Sequence, residues 1–323
     1  MYLAPEGEEL EIASAAADFI AHALPIQRLH QSGDADMGQS LRKQVGDMGW
    51  FALALSQAQG GSGLSAVEHA LFFREIGRQC GPVDILAQAL AANAAQSAKL
   101  RGALVSGEAG VALLVTDGPG YRLLGSPQAE YAILAGPEGA SLHRMDAAQL
   151  DVRAGLASAN TLASLGQLPE QVDAAQGARI WQLGQIGSAS ILIGLAEAAL
   201  DLIVEYAKIR ETFGRPIGSY QAVRHTCANM AVQIEAARAQ LWFAAAALKE
   251  ERGDAAAHID AAKHLANETA QQCTDDTIQL HGGIGVTDEH DAHLLMKHAV
   301  LYSRLFGTRR QLLAGLLHAR LED

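Results

Sequence analysis

The sequence is organised around one short segment, RETFGRPIGSYQ at residues 210–221. This segment separates two long stretches in which apolar residues recur at helical spacing, over about 179–209 and about 222–250. Gly214 and Pro216 interrupt the helical pattern, because proline lacks an amide hydrogen and glycine has a low helix propensity. The pattern therefore predicts a helix that ends near residue 210, a tight turn and a second helix.

A second glycine-rich segment, QLHGGIG, follows another apolar-periodic stretch at residues 279–285. Three glycines in four positions allow a backbone turn that larger residues could not follow closely. Taken alone, such a segment is equally typical of an ordinary helix end.

Together, the two segments resemble the flavin-contacting motifs of the acyl-CoA dehydrogenase family. Those motifs read R-x-x-F-G-x-P-I-x-x-x-Q and Q-x-x-G-G-x-G followed by a glutamate, here Glu289. In that family both motifs contact the FAD of the neighbouring subunit. The resemblance implies that Arg210 pairs with the FAD pyrophosphate, which suits the planar donor fork of a guanidinium. It also implies that Phe213 packs near the adenine and that Gln221 hydrogen-bonds the cofactor. The cofactor-binding residues implied in this way are Arg210, Thr212, Phe213, Tyr220, Gln221, Gln279, Gly282 and Gly283.

The rest of the chain supports the same resemblance. Residues 1–105 show helical spacing, and MGWFALALSQAQGGSGLS (48–65) and FFREIGRQCGP (72–82) resemble the N-terminal helical domain of the family. Residues 106–175 alternate short apolar runs with glycine and proline, which indicates strands, and residues 176–323 return to helical spacing. We expect a mainly α fold with a small β middle domain, acyl-CoA dehydrogenase-like. Its domains would be an N-terminal helical domain, a reduced β-domain and a C-terminal four-helix bundle with these three boundaries.

The middle segment matches the flavin-ring signature of the family poorly. That signature reads roughly T-E-P-G-x-G-S-D, and the nearest counterpart here is TDGPG at residues 116–120. The segment is also shorter than a full β-domain of the family. We therefore expect a β-domain that is trimmed or has lost its ring-binding loops.

Neither position at which the family carries its catalytic glutamate holds a carboxylate here. In the family this base removes the α-proton of an acyl-CoA thioester, while the β-hydride passes to flavin N5. In most members it precedes a Gly-Thr pair near the C-terminus, a position that Phe306 occupies in this chain. In other members it lies 26 positions before the motif arginine, which corresponds to Gly184 (210 − 26 = 184). Neither side chain can accept a proton, and residues 181–191 contain no Asp or Glu. We therefore assign no catalytic residue to this chain.

Intact motifs for a neighbour's FAD, without a base or ring-binding loops, are the pattern of one subunit in a heteromeric acyl-CoA dehydrogenase. The chain resembles subunits of bacterial α2β2 enzymes that act on CoA thioesters of steroid side chains. A homologous full-length partner would supply the base and bind most of the FAD, and an electron-transfer flavoprotein would accept the electrons. Two alternatives stay open. One is a self-sufficient homo-oligomeric dehydrogenase with an unrecognised base, and the other is a non-catalytic scaffold of the same fold.

Composition and charge argue against several other functions. The 323 residues carry a net charge of −12 without a basic block, so nucleic acid is not an expected partner. Cys80, Cys227 and Cys273 form no CxxC motif, which suggests a reducing cytoplasm. The start of the sequence lacks a signal-peptide pattern, and no run of 18 apolar residues predicts a membrane span.

Four histidines near the second motif raise a metal hypothesis: His281, His290, His293 and His298. Their spacing is not HExxH, and no convincing carboxylate set accompanies them. We therefore expect no metal and solvated histidines on helix surfaces.

An apolar seam at alternating three- and four-residue spacing runs over residues 192–206, and further apolar faces follow Ala222. These faces exceed what one thin domain can cover. They predict an obligate oligomer.

Overall fold

Two helical regions flank a stretch of strands in the computed structural model, which describes residues 4–30, 37–145, 150–157 and 160–321. The first region contains α1 (Glu8–Ala23), α2 (Gln39–Asp47), α3 (Ala66–Arg78), α4 (Val83–Ala94) and α5 (Ala98–Val105). The second contains α6 (Arg179–Ile209), α7 (Gln221–Lys249), α8 (Ala255–His281), α9 (Ala292–Tyr302) and α10 (Arg309–His318). Helices α6 to α9 pack on one another as a bundle. The expected fold class is confirmed, whereas the exact domain boundaries stay a prediction.

Seven strands form one sheet between the helical regions. They are β1 (Val111–Asp117), β2 (Gly120–Leu124), β3 (Tyr131–Gly136), β4 (Gly139–Arg144), β5 (Asp151–Ala154), β6 (Thr161–Leu165) and β7 (Gln171–Gln176). Their order is β5-β6-β2-β1-β3-β4-β7, and β1 and β3 are parallel while the other neighbours are antiparallel. The apolar runs predicted as strands correspond to β1, β2 and β3. One face of the sheet packs on α4 and α6.

Helices α3 and α6 cross at backbone contact, which sets the position of α6 in the core. A Cβ atom on Gly77 would lie 2.1 Å from the carbonyl oxygen of Ile191. One on Gly194 would lie 2.0 Å from the carbonyl oxygen of Arg74. Glycine at both positions therefore allows an approach that no side chain permits.

An ion-pair network locks the same crossing to α7. The buried carboxylate of Glu197 on α6 contacts Arg74 Nε at 2.7 Å and Arg78 Nη1 at 3.3 Å, both on α3. Arg238 Nη1 on α7 reaches it at 3.4 Å. Three guanidinium groups thus compensate one buried charge, the condition under which such a charge is tolerated.

Gly194→Ala is expected to lower the free energy of unfolding by about 1–3 kcal/mol, since a methyl group would have to displace the α3 backbone. Urea unfolding measures this loss. Gly102→Ala is the matched control, because a Cβ on that α5 residue meets nothing within 4 Å. Equal stability of the two variants would contradict the close crossing.

The apolar seam of α6 is core, not an oligomer surface. Leu192, Leu195 and Ala199 are fully buried within this chain, because α3 and α8 cover them. These positions therefore pack within the chain, and the seam does not support the predicted oligomer. The first half of α7 is instead largely exposed, including Val232 at 70%, and the oligomer stays a prediction that rests on this helix.

Helix α6 is long and apolar enough, by length and composition, to cross a membrane. However, 78% of its most apolar window is buried inside the protein. A buried core helix passes the same test, and α6 is the central helix of the bundle. The burial of α6 is thus explained by α3, α7 and α8.

Candidate cofactor-contacting site

The first motif folds into a small hairpin at the end of α6. Arg210 caps the helix, and its amide donates to the carbonyl of Tyr206 at 2.8 Å. Strands β8 (Glu211–Thr212) and β9 (Arg215–Pro216) then pair antiparallel around Phe213 and Gly214. Both central residues have positive φ, +51° and +76°, as a two-residue hairpin requires. The predicted tight turn between helices is therefore this hairpin.

The hairpin leaves a cation and an aromatic ring uncovered. The Phe213 side chain is 98% exposed, and Arg210 is also exposed. Within the described ranges of the chain, the Arg210 guanidinium has no hydrogen-bond or ion-pair partner. Such a group is available for an anion, and an exposed ring of this size is typical of a contact surface.

Thr212 and Tyr220 support the hairpin from behind. The Tyr220 hydroxyl donates to the Thr212 carbonyl at 2.9 Å. The Arg215 guanidinium lies 4.1 Å from the centre of the Tyr220 ring, and its hydrogen bond lowers the pKa of the phenol. Gln221 begins α7 directly after this contact and is exposed. Two of the implied cofactor residues are thus already engaged within the chain.

The second motif forms the end of α8 and a short 3-10 turn over Gly282–Val286. Gly282 has φ +67° and ψ −143°, a conformation that is essentially confined to glycine. A Cβ on Gly283 would meet nothing within 4 Å, so packing within this chain does not require glycine there. Gln279 is exposed beside them. The motif thus presents bare backbone to the surroundings.

Both motifs lie at the same end of the helical bundle. The rings of Tyr206 on α6 and His281 on α8 are 4.5 Å apart. About one turn before His281 in α8, Thr277 Oγ1 donates to the carbonyl of Ala199, which lies about two turns before Tyr206 in α6, at 3.0 Å. The structure therefore brings together two segments that are about seventy residues apart in sequence.

The two family base positions also meet, at the other end of α6. A Cβ on Gly184 would lie 2.3 Å from Cε1 of the Phe306 ring. Trp181 packs on the same ring with centroids 5.5 Å apart, and Phe306 is buried with φ +56°. An aromatic ring therefore occupies the space into which either glutamate would project.

A cavity of about 800 Å³ separates this aromatic cluster from the sheet. Strands β1, β3, β4 and β7 form one wall, and residues 304–308 form the other. Among the described residues, its one lining carboxylate is Glu138, which is exposed in the β3–β4 turn. A second carboxylate, Asp260, does not line the cavity. It accepts a hydrogen bond at 2.8 Å from Nε2 of Gln185, the residue after Gly184, and burial raises its pKa. Sequence patterns singled out neither group, because neither lies in a family motif.

Residues 116–120, the nearest match to the flavin-ring signature, form a tight hairpin instead of an extended loop. Asp117 pairs with Gly120, so β1 and β2 are joined by only two residues, Gly118 and Pro119. Arg122 Nε donates to the Asp117 carboxylate at 2.6 Å and holds the hairpin end. Consequently no extended loop is present at residues 116–120.

Three of the four histidines near the second motif are buried, and their interpretation as solvated surface residues was wrong. These are His281, His293 and His298. The chain after α8 folds back on the bundle, so His293 and His298 are buried there, whereas His281, at the end of α8, packs against the rings of Tyr206 and His290. Burial lowers the pKa of His298 to about 4. In the described part of the chain, no group of three His, Cys, Asp or Glu side chains could hold a metal ion.

Gly184→Ala is expected to cost about 1–3 kcal/mol of unfolding free energy while the Phe306 ring is present. In a Phe306→Ala background the added methyl group has room, so the cost should fall. The double-mutant cycle should thus give a coupling energy of about 0.5–3 kcal/mol, measured by urea unfolding. Additive costs would mean that the two positions do not share one space.

This chain is similar to known protein families and structures. The model for the acyl-CoA dehydrogenase C-terminal domain matches residues 179–320, and that for the N-terminal domain matches residues 6–107. Acyl-CoA dehydrogenase IpdE2 of Mycobacterium tuberculosis is 33% identical over 97% of this chain and 98% of its own length. Acyl-CoA dehydrogenase FadE34 of the same organism is 32% identical over 83% of this chain, which spans only 40% of FadE34.

The same fold occurs in solved structures. The ChsE4-ChsE5 complex from Mycobacterium tuberculosis superposes with a TM-score of 0.82, covering 99% of this chain and all of the matched chain at 20% identity. At that identity the likeness concerns the fold alone. By contrast, the two family models and the similarity to IpdE2 over nearly its whole length show the family of this chain. This chain therefore belongs to the acyl-CoA dehydrogenase family, whose members are flavoprotein oxidoreductases.

Proposed function

We propose that this chain is one subunit of a heteromeric, FAD-dependent acyl-CoA dehydrogenase. It completes the FAD site of a homologous partner and does not supply the catalytic base. An α2β2 assembly would bring its hairpin and glycine turn to the partner's cofactor. The solved ChsE4-ChsE5 complex, which contains two differently named chains, supports an assembly of this kind.

The observation that carries the proposal is the separation of two sites on one helix. Arg210 and Gly184 lie 26 residues apart on α6 (210 − 184 = 26). An α-helix rises about 1.5 Å per residue, so about 39 Å separates them. A flavin placed beside the Gly184 and Phe306 positions of this chain would therefore be out of reach of its own Arg210. This separation supports a contact between Arg210 and the cofactor of another chain.

The residues of the hairpin and glycine turn fit a dinucleotide. Arg210 offers an exposed guanidinium for the pyrophosphate, and Phe213 offers an exposed apolar ring. Bare backbone at Gly282 and Gly283 permits close approach of a ligand. Gln221 and Gln279 are exposed amides that can donate or accept hydrogen bonds. When bound, FAD would accept the β-hydride of the acyl-CoA substrate.

The aromatic cluster supports the proposal that this chain acts with a partner. Phe306 and Gly184 place no carboxylate where the α-proton is removed in the family, and the Phe306 ring leaves no space for one. The partner's glutamate would take that proton. Resemblance suggests a steroid side-chain CoA thioester as substrate and an electron-transfer flavoprotein as acceptor.

Co-expression with a homologous chain that carries the glutamate tests this function. We expect the complex to oxidise an acyl-CoA thioester with a dye acceptor, and this chain alone to show no turnover. A steroid side-chain CoA ester and a straight-chain ester assayed in parallel would distinguish the substrate classes.

Two variants separate this proposal from a self-sufficient enzyme. Glu138→Gln and Asp260→Asn should leave the activity of the complex unchanged, since neither carboxylate acts as the base. If the isolated chain turned over substrate and one of these substitutions abolished that turnover, the chain would be a self-sufficient enzyme. A complex that lacks both flavin and activity would instead favour the non-catalytic scaffold of the same fold.

A further inference from the structure

The ring of His281 lies between the two flavin-facing turns. It is the last residue of α8, so its carbonyl carbon is bonded to Gly282 of the second motif. Its ring is 4.5 Å from that of Tyr206, whose carbonyl accepts the amide of Arg210. A short path of one ring contact and one hydrogen bond therefore joins the hairpin to the glycine turn.

The other side of the same ring is also occupied. The His290 ring lies 4.4 Å away at an interplanar angle of 56°. His290 Nδ1 accepts the amide of Ala292 at 3.1 Å, which holds the start of α9. His281 is thus the middle of three rings, Tyr206, His281 and His290, and connects α6, α8 and the segment that leads into α9.

The hydrogen bonds of His281 define its protonation state. Nδ1 lies 2.7 Å from the Thr277 carbonyl, so it must donate its hydrogen to that oxygen. Nε2 is buried and has no partner among the described residues. A proton on Nε2 would be a buried donor without an acceptor, a costly arrangement. The neutral ring is the form that this site accommodates.

We propose that His281 is a positioning residue, whose neutral ring holds the Arg210 hairpin and the Gly282–Gly283 turn in one fixed arrangement toward the flavin. This inference rests on the proposed function, because it concerns how the same cofactor surface is held. A phenylalanine ring would make the same ring contacts, so the role lies in these contacts and not in catalysis.

The arrangement should respond to acid. Desolvation by burial, and then the nearby His290, lower the pKa of His281 from its ordinary value of 6.5. The unfolded chain therefore binds a proton before the folded chain does. The contribution of this ring to stability is complete above about pH 6.5 and declines as the pH falls below that value. Tyr206, Thr277 and His290 face the ring, and Asp291, His293 and His30 lie beyond His290 and act on its pKa.

The test compares His281→Ala with His281→Phe, first in this chain alone. Hydrogen exchange of the amides of residues 211–217 reports on the hairpin. We expect faster exchange in His281→Ala, which lacks the ring, and near-normal exchange in His281→Phe, which keeps it. His298→Ala is the matched control. His298 is also a buried histidine, and its Nδ1 hydrogen-bonds the carbonyl of Leu294, four residues earlier. Unlike His281, it has no ring partner within the described residues.

The second measurement is flavin retention by the co-expressed complex after dialysis, from pH 5.5 to 8. His281→Ala should weaken flavin retention by about 2- to 10-fold, because a change in affinity of this size corresponds to the loss of one aromatic contact. Retention by the unaltered complex should fall below about pH 6.5, whereas His281→Phe should remove this acid-dependent loss.

Unchanged exchange of residues 211–217 in a folded His281→Ala chain would overturn the inference. So would a loss in His281→Phe as large as that in His281→Ala. Failure of the proposed function has a different signature, a complex of unaltered chains that holds no flavin. In that event the exchange experiment still decides whether His281 positions the hairpin.

Discussion

Arg210→Ala is expected to weaken flavin retention by the complex about 10- to 100-fold while leaving the fold of this chain nearly intact. The guanidinium is exposed and has no partner among the residues that the structure describes, so within the chain we expect it to contribute only about 0.3–1 kcal/mol through the helix dipole. A hydrogen bond to a charged group contributes about 1.5–3 kcal/mol, and a bidentate phosphate contact belongs to the stronger class. The loss of this contact corresponds to the stated change in affinity.

The measurement is the flavin-to-protein ratio of the complex after dialysis, together with its thermal unfolding. Arg210→Lys should restore only part of the retention, because an ammonium lacks the planar fork. Arg309→Ala serves as the control, since Arg309 is likewise an exposed arginine at a helix end, at the start of α10. If Arg210→Ala kept full flavin but destabilised the complex, Arg210 would be a structural helix end.

The second large effect is the absence of flavin from this chain when it is purified alone. The β1–β2 hairpin offers no loop for the isoalloxazine ring, and the Arg210 hairpin of the same molecule is about 39 Å from the Gly184 position. An absorbance spectrum of the purified chain should therefore lack the flavin band. Phe306→Glu should not create activity in the isolated chain, because the added carboxylate would have no flavin beside it. A stoichiometric flavin band in the isolated chain would contradict this expectation.

Helix positions around the first motif could be predicted almost to the residue. The expected helices over about 179–209 and 222–250 are observed as α6 (Arg179–Ile209) and α7 (Gln221–Lys249). Glycine and proline between them break both helices at defined points, and long apolar periodicity leaves little choice of register. Strands β4, β5, β6 and β7 were not singled out. In β5 and β7, the sequences DVRA and QVDAAQ lack the apolar alternation that marks a strand.

The burial of the histidines and of the α6 seam could not be obtained from local pattern. His293 and His298 become buried because the chain after α8 returns to the bundle, a contact between distant segments. Similarly, periodicity shows that Leu192 and Leu195 share a face, but not whether that face meets a helix of the same chain or of another. The proximity of Gly184 and Phe306, over 120 residues apart, also depends on the tertiary structure. The sequence related the two residues only because both correspond to base positions of the family.

The most direct test of the central claim is the number of flavins in the purified complex. Flavin absorbance, with the mass and composition of the complex from native mass spectrometry, gives this number. If this chain completes a partner's FAD site and has none of its own, the complex should contain one flavin for each pair of unlike chains. One flavin for every chain would show that this chain binds its own cofactor, and would contradict the account.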